Sequence, residues 1–400
     1  MKLIEVTTSA HQIEFIEMAV WLYRNEKNWI RPIDQDIEGL FHAETNKLFR
    51  NGAKAKRWLL QDESGKTIGR IAAFVNPKMK EKQPTGGVGF FECIDDQDAA
   101  FLLFDQAKSW LQSEGMEAMD GPINFGERDK WWGLLVEGFS EPNYNMPWNF
   151  GYYQTFFENY GFQLYFKQYT YARNVQNVGF DQKMVQRAQV ILANEDYSFR
   201  YIKGKELQEK APEYFMTVYN KAWARHMGKS IALKEAQLMF AKMKPILDPR
   251  LIYFAFFKGE PVGFFIQIPE INQIFKHVNG KMDLIGKLKF LWYKTFFPPN
   301  KMLGLVFGVV PEHQGKGVES AIVLSYDKMS GKASFPYKTI EMNWIGDFNP
   351  KMMRVCEQLL AKIYKTHHTY RYLFDREKPF ERHPIFNWEI VGQIQKPRIE

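Results

Sequence analysis

The residues best suited to chemistry in this sequence surround Lys316, in a glycine-containing turn between two apolar segments. Residues 303–324 read LGLVFGVVPEHQGKGVESAIVL, which predicts a strand, a tight loop and a helix. Gly315 and Gly317 allow the loop backbone to approach a ligand closely or to adopt a positive φ angle. Such a loop directs backbone N–H groups and the positive end of a helix dipole at one point, which suits a phosphate group. The pattern therefore predicts a phosphate-binding loop.

Elements on both sides must hold this loop in position, and their periodicity predicts a sheet covered by helices. In the second half of the chain the predicted order is hairpin, strand, helix, strand, helix, strand. The predicted ranges are 251–257 with 262–268, 303–310, 318–329, 339–345, 349–364 and 369–374. A strand at 197–202 and a helix at 207–223 precede them.

The same order is predicted in the first half, so the chain reads as an internal repeat. The ranges there are 57–60 with 68–74, 88–94, 99–114, 117–120, 151–160, and two strands at 164–166 and 169–173. Ile68-Gly69 then corresponds to Val262-Gly263. A length of 400 residues suits two domains. We therefore predict a first domain at 1–177, a helical connector at 178–195 and a second domain at 196–400.

The loop and the repeated order resemble the GNAT acyltransferase superfamily, in which a strand ends in V-x-P and continues into R/Q-G-x-G-I/V. The matching residues are Val309, Pro311, Gln314, Gly315, Gly317 and Val318. Five segments, GRIAAF, GFFECIDDQDAAFLLFDQAKSWL, GPINFGERDKWWGLLVEGF, YNKAW and GVVPEHQGKGV, are similar to the bacterial ceramide synthase-like family of tandem GNAT proteins. This resemblance implies an α/β fold with a mixed (α+β) sheet, built from two tandem GNAT units.

The resemblance also implies acyl-CoA as co-substrate and assigns residues to it. In the family, the strand before the loop pairs with the pantetheine arm, which assigns Val309 and Val310 to pantetheine and the thioester carbonyl. The loop amides hold the pyrophosphate, which assigns Gln314, Gly315, Lys316, Gly317 and Val318. Asn349 matches the asparagine that opens the family's next helix. Glu312 and Glu319 depart from the family pattern, because a base or amide and a small residue are usual at their positions.

Two catalytic residues are expected from the same resemblance. Acylation of an amine needs a group that accepts the proton of the ammonium or of the tetrahedral intermediate. Glu341 lies on the 339–345 strand, where several GNAT enzymes place such a carboxylate, and Asn343 shares its face. Cys356 occupies the position of the tyrosine that often protonates the departing CoA thiolate. The alternative interpretations are an ion-paired strand glutamate and a buried cysteine that fills the core.

The first half lacks the chemistry of the loop in the second half. Its strand and helix are joined by Glu92-Cys93-Ile94-Asp95-Asp96-Gln97, which contains no glycine and two aspartates that repel a pyrophosphate. We therefore expect a degenerate N-terminal GNAT-like domain and a single acyl-CoA site in the second half.

An insertion at 275–301 predicts a basic amphipathic helix. Leu284, Leu288, Leu291, Trp292 and Phe296 fall near one helical face. Six lysines accompany a single aspartate in this segment. A helix of this kind suits the surface of an anionic membrane, and the alternative is a helix packed on the rest of the protein.

Composition limits the partners and the compartment. The net charge of +7 favours an anionic partner, such as CoA phosphates or an anionic membrane, and nucleic acid ranks last because no RNA-binding signature is present. Two cysteines predict neither a disulfide framework nor a four-cysteine metal site, so no metal is expected. Early glutamates argue against a signal peptide, and no apolar run reaches the length of a membrane span. We expect a cytoplasmic protein with possible peripheral membrane contact.

The sequence therefore predicts an acyl-CoA-dependent N-acyltransferase. The resemblance implies that the acceptor is a small-molecule or lipid amine such as a sphingoid base. Two alternatives stay open. One is a non-catalytic protein that binds acyl-CoA or lipid, and the other is an aminoacyl-tRNA-dependent transferase, which would not bind CoA.

Overall fold

The computed structural model describes residues 1–77, 83–125, 133–176, 178–227 and 230–386, with side chains from 223 to 227 left aside. Its described residues form thirteen strands in one sheet. The strands are β1 (Lys2–Glu5), β2 (Lys54–Gln61), β3 (Thr67–Val75), β4 (Thr85–Cys93), β5 (Ala118–Gly121), β6 (Leu134–Glu137), β7 (Gln163–Asn174), β8 (Tyr197–Tyr201), β9 (Ile252–Phe257), β10 (Glu260–Pro269), β11 (Lys301–Val309), β12 (Thr339–Gly346) and β13 (Lys362–Leu373).

Thirteen helices of the described residues accompany the sheet. They are α1 (Ser9–Leu22), α2 (Asp34–Leu40), α3 (Lys47–Arg50), α4 (Gln97–Ser113), α5 (Tyr153–Tyr160), α6 (Gln182–Leu192), α7 (Gly204–Glu209), α8 (Ala211–Met227), α9 (Leu233–Met243), α10 (Asn272–Val278), α11 (Leu284–Phe296), α12 (Val318–Ser330) and α13 (Pro350–Gln358). Within the described ranges, no helix is both long and apolar enough to span a bilayer.

The two halves of the chain exchange their last strands. Across the sheet the order is β1-β2-β3-β4-β5-β13-β7-β12-β11-β10-β9-β8, and β6 pairs with β13. The last strand of the second half, β13, therefore pairs with β5 of the first half, while β7 of the first half pairs with β12. Each half completes its sheet with a strand from the other.

The cores follow this exchange. One apolar cluster belongs mainly to the second half but includes Tyr171 of β7. A second cluster belongs mainly to the first half but includes Tyr370 and Tyr372 of β13. Aromatic side chains from the exchanged strands thus anchor each half in the core of the other.

The predicted element order is found in both halves, with one added strand, β6, and three corrections. The helix predicted at 207–223 is divided into α7 and α8. The strands predicted at 164–166 and 169–173 are one continuous strand, β7. The helix predicted at 349–364 ends at Gln358, because Leu360 has a φ of +54° and the Ala361 N–H donates to the Cys356 carbonyl at 3.0 Å. The chain then enters β13, whose aromatic and threonine content favours a strand.

The amphipathic segment at 275–301 is divided between two helices. Asn279 and Gly280 both have positive φ and end α10. Asp283 then caps α11, because its carboxylate accepts the Gly286 N–H at 2.8 Å. In the segment between β5 and β6, residues 126–132, which include Glu127, Arg128 and Asp129, lie outside the described residues.

Candidate functional site

The predicted phosphate-binding loop connects β11 to α12. A short 3-10 turn at Pro311–His313 follows the strand. The Gln314 side chain folds back and donates to the Val309 carbonyl at 2.8 Å. The His313 ring lies 2.6 Å from the Tyr197 hydroxyl, which fixes the turn against β8. These contacts hold the loop at the C-terminal end of β11.

The two loop glycines are required for different reasons. Gly315 has a φ of +72°, and no atom lies within 4 Å of the position that a Cβ would occupy there. Gly317 has a φ of +101°, and a Cβ there would lie 2.8 Å from the Arg187 carbonyl of α6. Gly317 therefore allows α6 to pack against the start of α12, whereas Gly315 faces open space where a ligand can approach.

Glu319, one of the departures from the family pattern, contacts this loop. It lies in the first turn of α12, and its carboxylate accepts the Gly315 N–H at 3.4 Å. Lys316 is exposed beside it. The carboxylate thus occupies an N–H donor that a bound phosphate would use.

The strands next to the loop separate from each other. The parallel pairing of β11 and β12 runs only from Lys301↔Thr339 to Gly304↔Met342. Each strand bulges just beyond the last pair. Leu305 is the extra residue in β11, and Trp344 adopts a φ of +59° in the bulge of β12. Bulges bend strands, so they account for the gap between the two.

An apolar cavity occupies this gap. Its walls come from β10, β11, β12, α12 and α13, and they include Leu305, Phe307, Asn343, Ile345, Met352 and Val355. The Val310 N–H donates to the Val262 carbonyl of β10 at 2.9 Å. Because backbone groups alternate along a strand, the amides of Phe307 and Val309 point towards the gap. Of the predicted pantetheine contacts, Val309 thus faces the gap and Val310 bonds β10.

A buried cluster of charges lies near the N-terminal ends of the same two strands. Glu341 is 2% exposed, its Oε1 lies 2.6 Å from the Lys301 Nζ, and its Oε2 accepts from the Asn143 Nδ2 at 2.6 Å. The Asn143 amide also donates to the Asn343 Oδ1 at 3.1 Å. Since Asn343 lines the gap, these hydrogen bonds connect Glu341 to the cavity.

Glu270 and Lys365 are further ionisable residues of this buried cluster. Burial raises the pKa of Glu270 to about 8, opposed by N–H donors from Asn272 and Tyr144 and by the charge of Lys301. Burial lowers the pKa of Lys365 to about 8. The Lys365 Nζ donates to the carbonyls of Gly138 and Ser140 at 3.2 Å. Burial thus moves the pKa of each group towards neutral pH, a direction common among proton-transfer groups.

The positive charge of Lys301 lies close to the carboxyl groups of Glu341 and Glu270. Although burial favours its neutral form, the negative charge of Glu341, and then of Glu270, raises the pKa of Lys301. Together with Glu270, Glu341 and Lys365 it forms a set with two acidic and two basic groups. We refer to these four residues as the buried charge cluster.

Cys356 and Asn349 lie in and just before α13, and neither is among the described residues that line the cavity. Cys356 is fully buried with its Sγ 3.9 Å from the Met342 Sδ, and burial raises its pKa to about 12. Such a thiol is a weaker acid than an ordinary one, so the surroundings favour packing. Asn349 caps α13 by accepting the Met352 N–H at 3.3 Å. Its backbone position is fixed by this cap.

The equivalent region of the first half is occupied by protein side chains. Glu92 at the end of β4 accepts hydrogen bonds from the hydroxyls of Tyr23 and Tyr153 and pairs with Arg70. Asp96 caps α4 by accepting the Ala99 N–H at 3.1 Å. The Asp96 carboxylate thus occupies the start of α4. In the second half, a phosphate would bind at the corresponding start of α12.

Sequence reasoning found Glu341 but missed Lys301, Glu270, Lys365 and Asn143. Asn143 belongs to the first half and reaches Glu341 across 198 residues of sequence, so no local pattern could connect them. Glu270 had a usable signal, because it is a single acid that directly follows the apolar run of β10. Acidic residues at such positions are worth testing as buried groups.

No protein-family model matches the chain. Bacterial ceramide synthase from Caulobacter vibrioides is 25% identical over 386 residues, which cover 92% of this chain and 97% of that protein. Protein YghO from Escherichia coli (strain K12) is 24% identical over 366 residues, which cover 89% of this chain and 91% of that protein. Both similarities extend over nearly the whole chain.

Solved structures share the fold at low sequence identity. A tandem GNAT protein from the clavulanic acid biosynthesis pathway matches with a TM-score of 0.50 and 12% identity, covering 94% of this chain and 100% of that chain. A GCN5-related glucosamine N-acetyltransferase region in a fungal multi-domain β-N-acetylglucosaminidase gives a TM-score of 0.52 at 13% identity. That match covers 93% of this chain and 38% of the other. The chain has a mixed α/β fold of the tandem GNAT type.

Proposed function

We propose that this tandem GNAT protein, which resembles bacterial ceramide synthase, is an acyl-CoA-dependent N-acyltransferase acting on a long-chain amine such as a sphingoid base. The observation that carries the proposal is the gap between β11 and β12. It has the Gly315 loop at one end and hydrogen bonds to the buried charge cluster at the other. A thioester and an amine can therefore meet where the strands separate.

The residues around the gap suit the elongated shape of acyl-CoA. The pyrophosphate would lie on the loop amides from Gln314 to Val318, and the pantetheine arm would extend along the β11 edge. The amides of Phe307 and Val309, which point towards the gap, would bond to it as a neighbouring strand does. The apolar walls of the cavity suit the thioester end of an acyl-CoA.

The reaction requires the transfer of protons as well as of the acyl group. A long-chain ammonium loses one proton and its nitrogen attacks the thioester carbonyl. The C–N bond then forms, the nitrogen loses a second proton, the C–S bond breaks, and the CoA thiolate leaves and takes up a proton to become free CoA. Glu341, coupled to Glu270 through Lys301, is our candidate for the group that accepts the ammonium proton. Cys356 stays a predicted donor to the thiolate, and its raised pKa weakens that role.

A lipid acceptor is supported by α11. Six large apolar side chains of this helix are each more than half exposed. They are Leu284, Ile285, Leu288, Leu291, Trp292 and Phe296. Exposed Lys287, Lys289 and Lys294 accompany them. We propose that this face contacts an anionic membrane peripherally, where the apolar side chains enter the interface and the lysines meet the headgroups.

Vesicle binding tests the membrane contact. We expect the protein to sediment with vesicles containing phosphatidylglycerol and to lose this binding in the double variant Leu288→Ser/Trp292→Ser. Leu238→Ser is the matched control, because Leu238 is 51% exposed on a different helix, α9. Equal binding of the double variant and the control would contradict the contact.

Release of CoA thiol tests the enzymatic proposal. Purified protein is incubated with acyl-CoAs of several chain lengths, with and without sphinganine, and the N-acylated product is identified by mass spectrometry. We expect thiol release only when both substrates are present. Release that does not depend on any amine would contradict an amine acceptor.

The main alternative is a non-catalytic protein that binds acyl-CoA or lipid. It is favoured by Glu341, which is held in a short ion pair, and by the absence of a tyrosine at Cys356. It predicts CoA binding without turnover on any amine. An aminoacyl-tRNA-dependent transferase predicts no CoA binding, so a CoA titration separates it from both.

A further inference from the structure

A second apolar cavity adjoins the one in the β11–β12 gap and continues beneath α12. Four residues line both cavities, namely Phe265, Val323, Met342 and Leu359. Buried residues of β11, β12 and α12 line the second cavity without lining the first, among them Met302, Tyr326, Ser330 and Ile340. We refer to this second cavity as the side cavity.

The side cavity lies on the face of the sheet that α12 and α13 cover. The Met302 Sδ accepts from the Tyr326 hydroxyl of α12 at 3.5 Å, and the Met342 Sδ lies 3.9 Å from the Cys356 Sγ of α13. Glu341 directly precedes Met342 in β12, and successive side chains of a strand point to opposite faces. Glu341 and the side cavity are therefore on opposite faces of the sheet, next to the gap that separates the two strands.

The walls of the side cavity suit the end of a hydrocarbon chain. Its volume is about 40 Å³, well below the roughly 150 Å³ of a cavity that holds benzene, so it suits a slender chain and not a ring. Met302 and Met342 have flexible side chains that adapt to the shape of a guest. At the half-buried rim, the charges of Arg173 and Asp327 oppose each other, and the Arg173 guanidinium donates to the Leu359 carbonyl.

The side cavity leads away from the Gly315 loop. The loop precedes the first turn of α12, whereas the lining residues of this helix run from Val323 to Ser330, in its second half. The rise of an α-helix gives this stretch a length of about 10 Å. A chain that starts in the gap and enters the side cavity would therefore extend along α12, away from the expected pyrophosphate position.

We infer that the side cavity binds the end of the acyl chain of a long-chain acyl-CoA whose thioester lies in the gap. The inference rests on the proposed function, which supplies the acyl-CoA. The long-chain amine is the other amphiphile of that reaction, but Glu341, the candidate acceptor of its proton, lies on the opposite face of the sheet. The two substrates would thus meet in the gap from opposite faces, and the side cavity would favour long acyl chains over acetyl.

Binding of CoA thioesters of two chain lengths tests the inference without turnover. Ser330→Leu places a larger side chain in the buried wall of the side cavity, and Ile340→Phe is a second cavity-filling variant in case the first does not fold. Ser113→Leu is the matched control. Ser330 and Ser113 are each the last residue of a helix, and each hydroxyl donates to the carbonyl three residues earlier, but Ser113 is exposed. Acetyl-CoA and dodecanoyl-CoA are titrated against each folded variant by calorimetry.

We expect the wild type to bind dodecanoyl-CoA more tightly than acetyl-CoA. Ser330→Leu should weaken dodecanoyl-CoA binding about tenfold, because roughly two methylene groups lose their burial. Acetyl-CoA should bind this variant as it binds the wild type, and Ser113→Leu should change nothing. Unchanged dodecanoyl-CoA affinity in both cavity variants would overturn the inference. An equal loss of affinity for both thioesters would place the effect in the gap and would also overturn it.

This design separates the side cavity from the proposed enzymatic activity. If the preference for dodecanoyl-CoA depends on Ser330 but no amine is acylated, the cavity assignment holds and the enzymatic proposal fails. If amines are acylated and both cavity variants keep the wild-type preference for chain length, the enzymatic proposal holds and the cavity assignment fails.

Discussion

Glu270 is the residue whose charge is most affected by folding in the candidate site. Its carboxyl has a pKa of about 8 in the folded chain against an ordinary value of 4.5. Between these two values the folded state keeps a proton that the unfolded state has lost. The free energy of unfolding therefore falls as the pH rises from about 5 to 8.

Replacing Glu270 tests this dependence. We expect Glu270→Gln to remove part of the pH dependence, so that the variant gains roughly 1–3 kcal/mol relative to the wild type between pH 5 and 8. Urea denaturation at several pH values measures it. Glu260→Gln, at an exposed position in the β9–β10 hairpin, is the control and should follow the wild type. Parallel curves for Glu270→Gln and wild type would rule out the raised pKa.

The ion pair between Glu341 and Lys301 gives a second prediction at this scale. Glu341→Leu leaves the Lys301 ammonium buried beside fewer negative charges, so we expect a loss of about 3–5 kcal/mol in unfolding free energy. Lys301→Met/Glu341→Leu removes both charges and should recover most of it. Thermal and urea unfolding of both variants provide the comparison. A double variant less stable than the single one would contradict a mainly electrostatic cause.

At the scale of elements, the loop between β11 and α12 carries the cofactor assignment. Gly315→Val should abolish detectable CoA binding, because a side chain would enter the open space in front of the loop amides and strain a positive φ. Gly65→Val is a close control, because Gly65 has a φ of +83° and equally open surroundings in the β2–β3 hairpin. If both variants lose CoA binding alike, the loss reflects backbone strain and not the loop.

Replacing Glu319 in the same loop region should have the opposite effect on CoA binding. Because its carboxylate accepts the Gly315 N–H, it competes with a phosphate for that donor. Glu319→Gln should strengthen CoA binding severalfold, roughly 1 kcal/mol, with a larger gain at low salt. Calorimetric titration at two ionic strengths measures this gain. Weaker binding in the variant would mean that Glu319 supports the loop.

The elements show which features local sequence can predict. Alternating apolar residues correctly predicted both hairpins, and the glycine pattern predicted the turn before α12. The bulges at Leu305 and Trp344 were not predictable, because the residues there have no pattern that distinguishes a bulge from a regular strand. Because those bulges open the gap, the candidate site could be recognised only from the structure.

At the scale of the molecule, the exchange of β7 and β13 makes the halves interdependent. Sequence periodicity identified most of β7 and the C-terminal part of β13, but it identified neither strand's partners, since alternation does not specify which strand lies alongside. The same holds for Asn143 and Glu341, which meet only because the halves share a sheet. The domain boundaries at 177 and 196 were predicted from the sequence repeat and stay a prediction.

The exchange predicts how fragments behave. Residues 1–177 alone would lack β13 between β5 and β7, and residues 178–400 alone would lack β7 beside β12. We expect neither fragment to unfold cooperatively when expressed alone, and co-expression to give a complex with wild-type circular dichroism. Cooperative unfolding of either isolated fragment would contradict the exchanged topology.

The most direct measurement of the central claim is a crystal structure of the chain with a non-hydrolysable acyl-CoA analogue. We predict density for the pyrophosphate at the Gly315–Val318 amides and for pantetheine between β11 and β12, with the thioester carbon beside Leu305 and Asn343. Density for the analogue in the first half only, or a fully bound analogue outside the β11–β12 gap, would contradict the account.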